Sequence, residues 1–483
     1  MIDLARIAAP IAGVGLAVLL MARTRENRLA GLAYTTVGTA LLVGSLQPPS
    51  AADLAGAIIG LIVFGWLLSL AFRREPWLVA YLALALLPVR IHILHHQLLA
   101  PLYLVAAAAA FNLLRELLAR DVRTREFGIA TKPLALYLLW IGFSLLWTDD
   151  VRTAAIDMLA WYVPLTIIAL SVARLPWNAL RLKLLYGELA AMALFFAVVG
   201  FYQYHTREIF ENPKLNVANA YAVIFRANSI FYDPSIYGRF LVVALVPTAV
   251  LIVRGKSVRA GVAALAFAVV AWLGLLVSWS QSSFSALFVA IFCLSLFVWR
   301  WKPLAVLAVA AMILVAGAVA KPQLLHSIRH HGVHEINSLT SGRGSLIYNG
   351  LRVAKRHPVL GVGLGGFPTA YAKLTHRSDR HSASHNTPVT VAAEGGVIGI
   401  ALFLWLVIAF GLSALRRVDR TLAGELALAA GLVLVAIFAH ANAYADFFED
   451  PTTWIVFGLI GLSATRRAAQ AAATTEPSAM IAP

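Results

Sequence analysis

From Ala260 to Trp299 the chain runs for forty residues without one charged side chain. A helix needs about 20 residues to cross the hydrocarbon of a bilayer, so this run is long enough to cross twice. Its middle carries Ser278-Trp-Ser-Gln-Ser-Ser-Phe-Ser285, a polar knot suited to a tight turn between two spans. Backbone in hydrocarbon must satisfy its own N–H and C=O groups, which leaves only helices and closed barrels. Barrel strands alternate apolar and polar residues, whereas this run is solidly apolar. The expectation is therefore an all-α, polytopic transmembrane helical bundle. Comparable blocks lie near 5–21, 30–46, 53–72, 77–91, 97–118, 133–148, 157–172, 184–202, 236–253, 303–320, 386–412, 421–440 and 452–464, which with the two halves of the long run predicts twelve to fifteen spans. Those near 5–21, 77–91 and 452–464 are short enough to be re-entrant or interfacial. Composition agrees, with 60% hydrophobic and 13% charged residues, against about 25% charged in soluble domains. No secretory cleavage site stands out at the start, so the first apolar run reads as a retained anchor.

Basic residues set the expected orientation. Arg73-Arg74, the cluster from Arg115 to Arg125, the stretch from Arg174 to Lys183, Arg254 to Arg259, Arg300 with Lys302, Arg416-Arg417 and Arg466-Arg467 fall on alternate loops. The positive-inside rule assigns those loops to the cytoplasm. The connections around Thr148-Asp-Asp150, Tyr202 to Ser235, Lys321 to His385 and Asn442 to Pro451 then face outward. The domain reading is helices with short loops over 1–320, one long, partly helical outward loop over 321–385, further spans over 386–467, and a disordered alanine-rich tail over 468–483. Most of the formal charge of +16 is this topology signal, and it calls for no nucleic acid. The long loop is different: nine Lys and Arg face only Glu335 and Asp379, a net charge near +7. An outward loop of that charge suits an anionic partner such as a lipid pyrophosphate or an acidic glycan. The single cysteine, Cys293, excludes a disulfide within the chain.

The long loop closes on His385-Asn386, and nine residues later comes Gly396-Val-Ile-Gly399, inside the uncharged segment from Gly395 to Leu415. An imidazole there sits where water meets lipid, beside glycine backbone that can pack closely. That placement suggests chemistry on a lipid-linked substrate, which needs a base for an incoming hydroxyl and stabilisation of an anionic leaving group. A neutral imidazole, with a pKa near about 6.5, can take that proton. Arginine forks match phosphate oxygens and stay charged. Arg239, alone at the border of an uncharged helix, needs an anionic partner or must snorkel to the interface. His385 could instead do no more than cap the next helix, and Glu394 could be a structural ion-pair member. Within the loop, helical spacing runs from Leu346 to His357, Pro358 ends that helix, and a second helical stretch covers Pro368 to Thr375.

Other constellations weigh less. His326, His330, His331 and His334 cluster, with only Glu335 to complete a zinc site, and His381 with His385 has the same i, i+4 spacing without a HExxH pattern. We therefore expect no metal and no cofactor. The run from Gly361 to Gly366 lacks the Lys-Ser/Thr of a nucleotide-binding loop and reads as a turn that lets backbone approach another segment. Asp233-Pro234 would bind a sugar hydroxyl or cap a turn.

Taken together, Ser341-Gly-Arg343, His357-Pro-Val-Leu-Gly-Val-Gly-Leu-Gly-Gly-Phe367, and His385-Asn386 with Glu394-Gly-Gly-Val-Ile-Gly399 resemble the O-antigen ligase/polymerase superfamily. The segment Arg226-Ala-Asn-Ser-Ile-Phe-Tyr-Asp-Pro-Ser-Ile-Tyr-Gly238 is similar to that family's stretch before a membrane helix. The resemblance covers about residues 200–412. It implies a GT-C-like membrane glycosyltransferase of the bacterial inner membrane. The implied reaction is a metal-independent, inverting transfer on the periplasmic side. An undecaprenyl-pyrophosphate-linked glycan is the implied donor, and a sugar hydroxyl on a glycan or glycolipid the acceptor. By position His385 corresponds to the essential histidine, Arg239, Arg226 and Arg343 to pyrophosphate-binding arginines, and Asn386, Glu394 and Asp233 to supporting residues. One departure leaves ligase and polymerase both open. The Arg-x3-Leu element of the ligase branch is missing, since Arg226 and Arg239 are followed four positions on by Ile230 and Val243. The competing class is a lipid-linked glycan transporter, which would show matching halves with midplane charges; the polar residues are instead concentrated in one late loop.

Overall fold

The structure, a computed structural model, describes residues 2–46, 50–93, 96–121, 123–210, 212–222, 224–255, 257–300, 302–304, 343–376, 384–416 and 418–475. The expected span at 303–320, the first part of the long loop with Ser341, and His326, His330, His331, His334 and His381 lie outside those residues. The described chain is a polytopic helical bundle. Its helices are α1 (Ile2–Met21), α2 (Arg25–Ser45), α3 (Ala51–Arg74), α4 (Leu78–Ala85), α5 (Ala100–Leu118), α6 (Thr131–Ser144), α7 (Val151–Asp157), α8 (Val163–Ala173), α9 (Ala179–Thr206), α10 (Pro213–Tyr221), α11 (Pro234–Arg254), α12 (Val258–Ser278) and α13 (Gln281–Trp299). After the undescribed stretch come α14 (Arg343–Arg356), α15 (Phe367–Thr375), α16 (Thr387–Leu415), α17 (Leu422–Ala441) and α18 (Pro451–Thr475). Among the described residues, ten helices are long and apolar enough to cross a membrane. The block at 77–91 is shortened to the eight residues of α4, followed by a small antiparallel hairpin of β1 (Ile91–Ile93) and β2 (His96–Leu98). The block near 157–172 extends back to Val151 as one span, in which a π-helical turn, Met158–Tyr162, links α7 to α8. At the C-terminus α18 continues helical to Thr475, through the alanine-rich residues that composition alone reads as disordered.

Local chemistry starts these helices where they start. Asp233, Ser257, Ser280, Asn386 and Thr421 each accept a backbone N–H of the following first turn with their side chains, which satisfies donors the helix itself leaves open. The central helix is α11, nearly buried along its length and packed by α9, α12, α13 and α17. At the other extreme α3 has only 17% of its apolar span covered by the described protein, which leaves Ile59, Phe64 and Leu67 exposed.

Polar contacts sort to two ends, as the basic loops require. At one end Arg28, fully buried, bonds Glu126 at 2.6 Å, and Arg174 bonds the same carboxylate at 2.8 Å and Glu116 at 2.8 Å. Arg254 pairs with Glu425 at 2.9 Å and Arg181 with Glu75 at 2.5 Å. At the opposite end the long loop docks on the connection after α6. Thr148 Oγ1 donates to the Leu364 carbonyl at 2.9 Å, and Lys373 reaches Asp149 at 2.7 Å.

One span is broken. Within α16, Gly396 has φ 62° and ψ −161°, a conformation that only glycine adopts readily. The break frees backbone groups inside an apolar segment, where leaving them bare is costly. The glycine-rich run fills it. Val362 N–H donates to Ala393 O and Gly363 N–H to Glu394 O, both at 2.9 Å, while Val397 N–H donates to Pro358 O at 2.8 Å. Trp140 Nε1 donates to Gly395 O at 3.1 Å from the other side. A β-carbon on Gly361 would run into the Glu394 backbone, and one on Gly396 into the Val359 carbonyl. The glycine run is thus the close backbone approach expected of it.

Candidate active site

His385 lies between the long loop and α16 with a left-handed backbone, φ 56°, uncommon for a residue with a β-carbon. Asn386 enforces that placement. Its side chain accepts Val389 N–H at 3.0 Å as the cap of α16, and its Nδ2 donates to Asn442 O at 2.9 Å. Capping therefore falls to Asn386 and not to His385, and the second bond ties the start of α16 to the connection between α17 and α18. That tether brings Tyr444 against His385, with ring centroids 5.9 Å apart at 67°. The other side of Tyr444 meets His440, 5.7 Å away. Burial, followed by the charge of Asp233, raises the Tyr444 phenol above its ordinary pKa, so it remains a hydrogen-bond donor.

His440 is fully buried, and its Nε2 lies 3.1 Å from Ser282 Oγ. The polar knot of the sequence proves to be the turn into α13, with Ser280 Oγ 2.8 Å from Ser283 Oγ. Ser278 of the same turn offers its carbonyl to Arg226 Nε at 3.4 Å.

The three expected arginines separate. Arg239 is only 6% exposed and is paired twice, with Asp446 and, through Nε at 2.9 Å, with Asp450. Its anionic partner is thus intrinsic, not a substrate alone, and it does not snorkel. Arg226 and Arg343 feel each other's charge: burial first, and Arg343 in part, pull the Arg226 guanidinium below its ordinary value, while Asp233 opposes this. An anion beside both guanidiniums would relieve that repulsion. Asp233 caps α11, accepting Ser235 N–H at 2.6 Å. Glu394 is half-buried by the break in α16, where it accepts Phe367 N–H at 3.3 Å at the start of α15. Among the described residues its partner is backbone.

Sequence reading missed the acidic connection Asp446-Phe-Phe-Glu449-Asp450. The signal was present, since an arginine at the border of an apolar helix demands an anion and this connection holds three carboxyls within five residues. These groups border a cavity of about 470 Å³ whose wall also includes Arg90, Trp161, Asn228, Tyr232, Arg239 and Tyr444. Burial pushes the Asp446 carboxyl up to about 6 against the opposing pull of Arg239. Glu449, between Asp446 and Asp450 in the chain, is exposed at the rim of the cavity. No group of three His, Cys, Asp or Glu among the described residues is arranged to hold a metal ion.

Residues 265–404 match the family described as O-antigen ligase. The match takes in α13, α14, α15, His385 and the broken part of α16, and stops short of the acidic connection. No curated protein matches the chain. The family match supports the O-antigen ligase/polymerase superfamily and, with it, a glycosyl-transfer-related membrane enzyme of polysaccharide biosynthesis.

Proposed function

With that superfamily as premise, we propose that the chain transfers a glycan from an undecaprenyl-pyrophosphate donor to a sugar hydroxyl on a glycan or glycolipid acceptor. The reaction takes place at the outward, periplasmic face of a bacterial inner membrane, without metal and with inversion. The observation that carries this reading is the placement of His385. A left-handed histidine and an asparagine tether bring an imidazole edge-on to Tyr444, which itself lines the cavity. In the proposed step the imidazole removes the acceptor proton as its oxygen attacks the anomeric carbon. The bond from that carbon to the pyrophosphate oxygen breaks on the opposite face, and the pyrophosphate leaves with the electron pair. Arg226 and Arg343 are the charges offered to it, because Arg239 already holds two carboxylates.

The first test is in vitro transfer by the purified protein from a lipid-pyrophosphate oligosaccharide in the presence of EDTA. Product formed under chelation supports the reading, and its length separates a single ligation from repeat-unit polymerisation, the alternative within the superfamily. Donor binding without product from any acceptor would favour a lipid-linked glycan transporter instead. Arg226→Ala should raise the KM for donor about 10–100-fold, the worth of a charge-assisted phosphate contact, with little change in the acceptor KM. An unchanged donor KM would remove Arg226 from the pyrophosphate site.

A further inference from the structure

The cavity wall carries buried acceptors that no donor among the described residues reaches. Asn228 is 2% exposed and its Oδ1 has no hydrogen-bond partner, while its Nδ2 is committed to the Phe231 carbonyl. Asp446 is 9% exposed. Arg239 holds its Oδ2, and its Oδ1 is without a partner. Both residues line the cavity, and Glu449 opens on the same space. Buried polar atoms are nearly always paired, so these oxygens specify what completes them: a ligand rich in hydrogen-bond donors.

That requirement discriminates between the two parts of a lipid-linked glycan. A pyrophosphate brings acceptors and negative charge. Around this cavity it would meet Asp446, Glu449 and Asp450 against only Arg239 and Arg90. A sugar brings hydroxyl donors, and its C–H faces suit apolar rings such as Trp161 and Tyr232 on the same wall. Trp161 is aimed by the π-helical turn Met158–Tyr162, a distortion that recurs at functional sites.

We infer that this cavity is a sugar subsite, in which Asn228 Oδ1, Asp446 Oδ1 and Glu449 bind the hydroxyls of a glycan residue beside His385, separate from the pyrophosphate at Arg226 and Arg343. The inference rests on the transfer reading above. Arg239 is then a positioning residue, which fixes one oxygen of Asp446 and leaves the other for the sugar.

The test is binding, without turnover, by wild type, Glu449→Gln and Trp161→Ala in nanodiscs. Three probes are offered: undecaprenyl pyrophosphate, the same lipid carrying one N-acetylglucosamine, and an array of free oligosaccharides. Both variants should lose about 10-fold or more in affinity for a sugar-bearing probe and keep wild-type affinity for the bare lipid pyrophosphate. Loss confined to the lipid-linked sugar assigns the subsite to the donor, and loss confined to free glycans assigns it to the acceptor. Wild type and variants alike on every probe, or a parallel loss on the bare lipid pyrophosphate, would overturn the subsite. Failure of wild type itself to hold undecaprenyl pyrophosphate would instead overturn the transferase reading. Glu449→Gln nearly preserves shape, so a folding defect confined to Trp161→Ala leaves the test intact.

Discussion

His385→Ala is expected to lower glycan transfer by about 10²–10⁴-fold, the usual worth of a positioned general base, while the detergent-solubilised protein unfolds near the wild-type temperature. The left-handed backbone at this position complicates alanine, which tolerates that conformation poorly. Asparagine tolerates it better, so His385→Asn removes the imidazole and spares the backbone. The two variants should lose activity alike. In both, whatever activity remains should lose the acid limb of the pH–rate profile that a base must produce. Near-normal turnover in His385→Asn would show that the histidine is there to shape the loop, and the search for the base would move to His440 or the acidic connection.

Gly396→Ala should prevent accumulation of folded protein. The residue combines a backbone conformation restricted to glycine with a neighbouring carbonyl where the β-carbon would go. Strain of this kind costs about 1–3 kcal/mol before the clash is counted. Moving Val359 away would in turn free the carbonyls that Val362 and Gly363 satisfy. Gly411, in the same helix with open space around it, is the control. Gly411→Ala should be neutral or gain up to about 1 kcal/mol of helix propensity. Comparable yields and unfolding temperatures for the two variants would mean that the break in α16 is not required by the fold.

Ten of the fifteen expected blocks were legible as spans among the described residues because length and charge decide them almost alone, and the loop helices α14 and α15 because Pro358 and the following glycines punctuate them. His385 and Asn386 were legible as a pair, but their division of labour was not. Which of two adjacent polar residues caps a helix depends on backbone angles that composition does not carry. The partner of Arg239 was missed for a different reason. A buried charge calls for a counter-charge without saying where in the chain it lies, and Asp446 is more than 200 residues away in sequence. The glycine run and Gly396 each announced close packing. That they pack on each other is a tertiary fact, and so is the lone pair left open on Asn228.

The splint across the broken helix also has a place in time. Pro358, Val362 and Gly363 precede Ala393 to Val397 along the chain, so they leave the ribosome first. If the loop crosses the membrane in that order, its glycine hook is already waiting when α16 arrives, and the gap is mended from without as it enters lipid. A chain built in the reverse order would have to hold an open wound in hydrocarbon until its dressing was made. The direction of synthesis is therefore part of what makes a discontinuous span affordable in this protein.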